Sequence, residues 1–129
     1  MGQILLADDV EFLRKLYGDI VSSTFPNYEV EFFQNGGSLV ERLERGVGNI
    51  ALILTDNSMP PGPTGSEIIR KYAKSPKFDG TIPFILSYAG DEEIGKKAIE
   101  DGAFSFIQKP FDLSQLVDII QKAFDKYKK

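Results

Sequence analysis

Four short apolar runs, each ending in a polar residue, constrain this chain most. Ile4-Leu5-Leu6-Ala7 leads into Asp8-Asp9, Ala51-Leu52-Ile53-Leu54-Thr55 into Asp56, Ile82-Pro83-Phe84-Ile85-Leu86 into Ser87, and Phe104-Ser105-Phe106-Ile107-Gln108 into Lys109. Three of the runs are continuous rather than alternating, as in strands buried on both faces, and the stretches between them are long enough for crossover helices. Parallel strands end along one edge, and open α/β sheets bind ligands in the crevice beyond those ends. Asp8, Asp9, Asp56, Ser87 and Lys109 are therefore expected at one small site, with acids for a cation and an amine and a hydroxyl for an anion.

The intervening segments carry helical spacing. Phe12, Leu13, Leu16, Ile20 and Val21 recur every three to four residues before Pro26-Asn27, and Leu39, Val40 and Leu43 mark a second helix. Tyr28-Glu29-Val30-Glu31-Phe32 alternates like a strand between them. Ile68, Ile69 and Tyr72 predict a third helix, and Ile94 and Ala98 a fourth that closes at Gly102, with Asp91 as its N-cap. Leu113, Leu116, Val117, Ile120, Phe124 and Tyr127 form the stripe of a fifth helix capped by Asp112 and ending at Tyr127-Lys128-Lys129, and no effector domain is expected within these residues. Strand and helix thus alternate five times, which predicts an α/β protein built as a three-layer α/β/α sandwich, one domain over residues 1–129.

Composition narrows the chemistry. With no cysteine and no histidine, disulfides, thiolate nucleophiles, His-based triads and the usual zinc sites are excluded, so reactions must run on carboxylates, hydroxyls and lysine. A net charge of -4 argues against nucleic acid or an anionic membrane as the main partner. No apolar run approaches the ~20 residues of a membrane helix, and Met1-Gly2-Gln3 passes straight into a strand without a signal peptide. A cytoplasmic protein is expected.

Each motif also has an ordinary reading. Asp8-Asp9 alone is a turn and capping pair, Ser87 an end-of-strand serine, and Lys109 a solvated charge. Adding Asp56 shifts the balance, because three acids on one edge repel unless a cation, protonation or Lys109 relieves them. Hard oxygen ligands in a small site suit Mg²⁺ or Mn²⁺. Lys109-Pro110 fixes the following turn, and Met59-Pro60-Pro61-Gly62-Pro63-Thr64-Gly65 makes a shaped rim beside Asp56. Gly46-Val47-Gly48-Asn49-Ile50-Ala51 matches a dinucleotide fingerprint but enters a strand instead of following one, so it lacks the required context.

Taken together, Asp8-Asp9, Asp56-Asn57-Ser58-Met59-Pro60, Ser87, Phe106 and Lys109-Pro110-Phe111 resemble the receiver domain of two-component response regulators, closest in length to stand-alone chemotaxis-type receivers. The resemblance implies a flavodoxin-like (βα)5 fold with a parallel five-stranded sheet in the order 2-1-3-4-5. It also implies Mg-dependent phosphorylation of Asp56 from the phosphohistidine of a sensor histidine kinase or histidine phosphotransfer protein, followed by slow autodephosphorylation rather than conventional turnover. Asp9, Asp56 and the Ser58 carbonyl would ligate Mg²⁺, Asp8 would hold a metal-bound water, and Lys109 and Ser87 would meet phosphoryl oxygens. Ser87 and Phe106 would act as the switch, Phe106 turning inward, and the face made by the fourth helix, fifth strand and fifth helix would signal to a downstream protein target. Ile119 lies off the core stripe of the fifth helix and is therefore expected to face that partner.

The chain departs from the family pattern at several points. Phe106 lacks the hydroxyl of a tyrosine often found there, Tyr88 replaces a small residue and is expected to cover the pocket, and Gly65 comes one residue late. Ser58 and Ala89 stand where similar proteins tune phosphoryl lifetime. Two rivals follow: a receiver-like binding module that takes no phosphate, and a haloacid-dehalogenase-type phosphatase. The latter needs a second acid two positions after its nucleophile, where this chain has Ser58.

Overall fold

The apolar runs become the strands of one parallel sheet in a computed structural model that describes residues 2–127; the readings made on Met1, Lys128 and Lys129 lie outside them. The element order is β1 (Gln3–Ala7), α1 (Glu11–Thr24), β2 (Glu29–Phe33), α2 (Gly36–Glu44), β3 (Ile50–Asp56), α3 (Gly65–Tyr72), β4 (Phe84–Tyr88), α4 (Glu93–Glu100), β5 (Ser105–Gln108) and α5 (Leu113–Lys126). The sheet order is β2-β1-β3-β4-β5, and each adjacent pair is parallel. The expected α/β three-layer architecture and order are both present.

Alternation along the strands explains why the continuous runs are buried on both sides. Leu5, Ala7, Ile53, Leu86 and Tyr88 pack with Leu39, Ile68, Ile69 and Ala98 on one face. Ile4, Leu6, Leu52, Leu54, Ile85 and Ile107 pack with Tyr17, Val21, Leu116 and Ile120 on the other. Leu5, Ile53 and Ile85 are fully buried, and such a side chain contributes about 1.5–3 kcal/mol through its removal from water.

Several boundaries differ from the sequence reading for local reasons. Pro83 precedes β4, where its carbonyl accepts from Ile53 N at 3.0 Å while its ring nitrogen has no proton to donate. Helix α4 begins later than Asp91, although the Asp91 carboxylate accepts from Glu93 N at 3.0 Å and so still serves the first turn. At α5 the Gln115 side chain reaches back to accept from Asp112 N at 2.7 Å. Thr64 and Glu67 form a reciprocal capping box at α3, a start signal visible in their spacing of three. Among the described residues, no helix is long and apolar enough to cross a membrane.

Candidate functional site

Because β1 and β3 are neighbours, with Ala7 opposite Thr55, the residues just beyond them share one corner of the sheet. Asp56 lies opposite Ser87 in the β3–β4 register, and Lys109 follows β5, its N–H donating to Tyr88 O at 2.7 Å. The C-terminal edge thus gathers residues as far apart in sequence as Asp8 and Lys109, 101 positions.

The carboxylates of Asp8, Asp9 and Asp56 each offer an oxygen within 4.8 Å of the others. Asp8 and Asp56 are buried, whereas Asp9 is exposed and faces the approach from solvent. Oxygen donors so close together, one of them open to water, fit a small hard cation such as Mg²⁺. Ser58 is exposed two residues beyond Asp56, on the same rim.

Lys109 supplies the opposing charge. Its amine is 3.4 Å from Asp8 Oδ2 and 3.3 Å from Asp56 Oδ2. The remaining oxygens have their own donors: Val10 N to Asp8 Oδ1 at 2.9 Å, and Asn57 N to Asp56 Oδ1 at 2.8 Å. Ser87, 4% exposed, lies beside Asp56 in the adjacent strand. The site therefore combines an acidic side and a cationic side within one crevice.

Electrostatics follow from this crowding. Burial pushes the Asp56 carboxyl above the usual carboxylate range and Asp8 adds repulsion, while Lys109 and the Asn57 N–H pull back without cancelling the rise. Burial is the largest single influence on Lys109 and pushes it down, but the attraction of Asp56 and Asp8 outweighs it and the amine's affinity for its proton rises. Tyr17 is also raised, by burial first, and its phenol is close enough to feel Lys109, Asp8 and Asp56.

Contacts made by the residues flanking the site complete the frame. The Asn57 side-chain oxygen accepts from Ser66 N at 2.9 Å and Ser66 Oγ at 2.8 Å, tying the end of β3 to the start of α3. Gly65 packs against the Asp56 carbonyl so closely that a Cβ would collide with it. The long loop is fastened to α2, whose Gly36 and Gly37 N–H groups donate to Met59 O at 2.9 Å and Pro61 O at 3.2 Å. Its Gly62 adopts φ 106 beside Gly37, where a side chain has neither the backbone angle nor the space. Arg14 Nη1 donates to the Asp8 carbonyl at 2.8 Å. Within this scaffold Asn57 and the Met59–Gly65 loop were marked in the sequence, whereas Arg14, Ser66 and the glycine N–H groups of α2 were not.

Tyr88 corrects an expectation. Strand alternation turns it away from Ser87 and into the core under α4, where it is fully buried. It packs 5.9 Å from the Phe106 ring, and its hydroxyl reaches Glu92 O at 3.4 Å. It does not cover the crevice. Phe106 is half-buried and fits against α4 because residue 95 is glycine; a Cβ there would lie 2.5 Å from the ring. Ile119, expected to face outward, is partly buried and packs on the core, although with Phe106 and Lys122 it also lines a groove between β5 and α5.

Comparison with known proteins places the chain in a family. The chain matches the family model described as response regulator receiver domain over residues 4–121. It is 32% identical over 121 residues to the chemotaxis protein CheY of Treponema pallidum, covering 92% of this chain and 79% of that protein. It is also 32% identical over 114 residues to a cyclic di-GMP phosphodiesterase of Thermotoga maritima, covering 88% of this chain but only 28% of that protein. A receiver domain protein from Clostridium thermocellum superposes with a TM-score of 0.84 at 20% identity, covering 99% of this chain and 98% of that one, a likeness that carries the fold alone.

Proposed function

The chain belongs to the response regulator receiver domain family, and on that premise we propose that residues 1–129 form one receiver unit whose Asp56 accepts a phosphoryl group from a phosphohistidine. The carrying observation is that Asp56 belongs to the acidic cluster with Asp8 and Asp9 and lies 3.3 Å from the Lys109 amine. The chain contains no histidine, so the phosphohistidine lies outside these residues, on a sensor histidine kinase or a histidine phosphotransfer protein.

In the reaction the Asp56 carboxylate attacks phosphorus in line, an O–P bond forms as the donor's P–N bond breaks, and the electron pair leaves on the imidazole nitrogen, which takes up a proton. The transition state spreads negative charge over the equatorial oxygens, so catalysis is mainly positioning and charge stabilisation. Lys109 pairs with one such oxygen, and Ser87 hydrogen-bonds another. Asp9, Asp56 and the Ser58 carbonyl would hold Mg²⁺, or Mn²⁺ in its place, and Asp8 one of its waters. Bound there, the cation supplies further positive charge to the transferring group. The same site loses its phosphate slowly to water rather than turning over substrate.

The acyl phosphate adds about two negative charges, by analogy with phosphorylated hydroxyls, and draws Ser87 and its loop inward. This biases an equilibrium between two packings of the β4–α4 segment. Phe106 over Gly95, with Tyr88 filling the core beneath, links that segment to the outer face. The α4–β5–α5 face then engages a downstream protein, with Ile99, 44% exposed, and the groove beside Ile119 as its apolar contacts. A cytoplasmic location accompanies this reading, because histidine kinases draw on ATP there.

The test is phosphoryl uptake from acetyl phosphate, read by intact mass. One phosphate should add in the presence of Mg²⁺ and none in EDTA, and Asp56→Asn should abolish it. Undiminished uptake by Asp56→Asn would refute the assignment.

A further inference from the structure

Lys109 carries its charge on a flexible four-carbon stem, so its place beside Asp56 depends on what fixes the turn it stands on. Its own N–H is held by Tyr88 O on the β4 side. Two residues on, Phe111 crosses to α1 and stacks on Tyr17, with ring centroids 5.4 Å apart and planes 28° from parallel. Tyr17 is 8% exposed and embedded in the α1–α5 core. Among the described residues it is the one aromatic ring stacked on Phe111.

Helix α1 also begins at Glu11, one residue past Asp8-Asp9, so the Tyr17–Phe111 stack joins the element that follows the acidic loop to the turn that carries the amine. From this juxtaposition we propose that Tyr17 is a positioning residue for Lys109: its ring, through Phe111, sets the β5–α5 turn so that the amine meets the phosphoryl group. The phenol lies within the field of Lys109, Asp8 and Asp56, but the ring performs the positioning, and the hydroxyl is dispensable. A small error at this turn matters because catalysis by charge needs the amine in place before reaction.

The inference rests on the receiver reading, and the experiment separates the two. Tyr17→Leu removes the stack while keeping apolar bulk, Phe111→Leu removes it from the other side, and Tyr17→Phe keeps it. Uptake of phosphate from saturating acetyl phosphate should slow about tenfold in either leucine variant, with Mg²⁺ affinity unchanged within about twofold and Tyr17→Phe close to wild type. In a Lys109→Ala background, Tyr17→Leu should cause no further loss. Independently of phosphate, amide exchange at Lys109, whose N–H is bonded to Tyr88 O, should accelerate about tenfold in Tyr17→Leu and not in Tyr17→Phe, while exchange in β1 and β3 stays unchanged. Should Tyr17→Leu fail to fold, Phe111→Leu carries the same measurements. Absence of uptake by the wild type would sink the receiver reading. Unchanged Lys109 exchange in the leucine variants, equal slowing of Lys109→Ala by Tyr17→Leu, or loss in Tyr17→Phe matching that in Tyr17→Leu would overturn the role of Tyr17.

Discussion

Replacing Lys109 with methionine keeps the stem and removes the charge that holds two buried acids together. At 3.3 and 3.4 Å from Asp56 and Asp8, each attraction is worth about 5 kcal/mol at an effective dielectric near 20. Most of that offsets the cost of taking the ions out of water, and removing one partner of a buried pair usually costs about 3–5 kcal/mol net. The Lys109 side chain keeps 21% of its exposure, which screens the pair and places the expected loss near 2–3 kcal/mol. Urea unfolding in EDTA at pH 7 measures it directly. The same substitution removes a cation that competes with Mg²⁺, so Mg²⁺ should bind about tenfold more tightly, while phosphoryl uptake should fall about a hundredfold. Tighter metal binding with slower chemistry distinguishes this account from general damage. Wild-type stability in EDTA together with unchanged Mg²⁺ affinity would refute the claim that Lys109 is the resident counter-charge.

Other perturbations have defined signs. Asp56 has its carboxyl raised in the folded chain, so its ionisation opposes folding: the penalty is absent below the unfolded carboxylate value near 4, grows as pH rises through the folded value, and is fully present above it. Asp56→Asn should therefore raise the urea midpoint at pH 7, and its advantage should disappear as the pH falls to about 4. Gly65→Ala would force a methyl against the Asp56 carbonyl and should cost about 1–3 kcal/mol, with phosphoryl uptake falling in parallel, measured by urea unfolding and intact mass. Thr64→Ala removes the side-chain half of the α3 capping box and should cost about 1 kcal/mol, seen as a lower urea midpoint with Mg²⁺ affinity retained.

The strands that build the site were legible because burial on both faces writes itself as continuous apolar sequence, and the polar residue ending each run marks the edge. Asp8, Asp9, Asp56 and Lys109 could be grouped from that pattern alone. Strand β2 was less distinct, since at the sheet margin it carries Glu29 and Glu31 and leaves Phe32 47% exposed. The orientation of Tyr88 followed from alternation relative to Ser87, yet its size suggested a cover over the pocket. Asn57, Arg14 and Tyr17 act through contacts with residues set beside them by the fold, and no local spacing announces such partners. The fastening of the Met59–Thr64 loop to α2 was equally hidden, because backbone N–H groups of Gly36 and Gly37 make it.

In the proposed receiver, one sheet edge holds a cation and a phosphoryl group side by side. Amide NMR with Mg²⁺ and beryllofluoride, a phosphoryl mimic, tests it most directly. The account predicts that the mimic binds only when Mg²⁺ is present and that the largest shifts fall on Asp9, Asp56, Asn57, Ser87 and Lys109, spreading to α4. Saturating Mg²⁺ and beryllofluoride that leave those amides unmoved, or that move the opposite edge of the sheet instead, would contradict it.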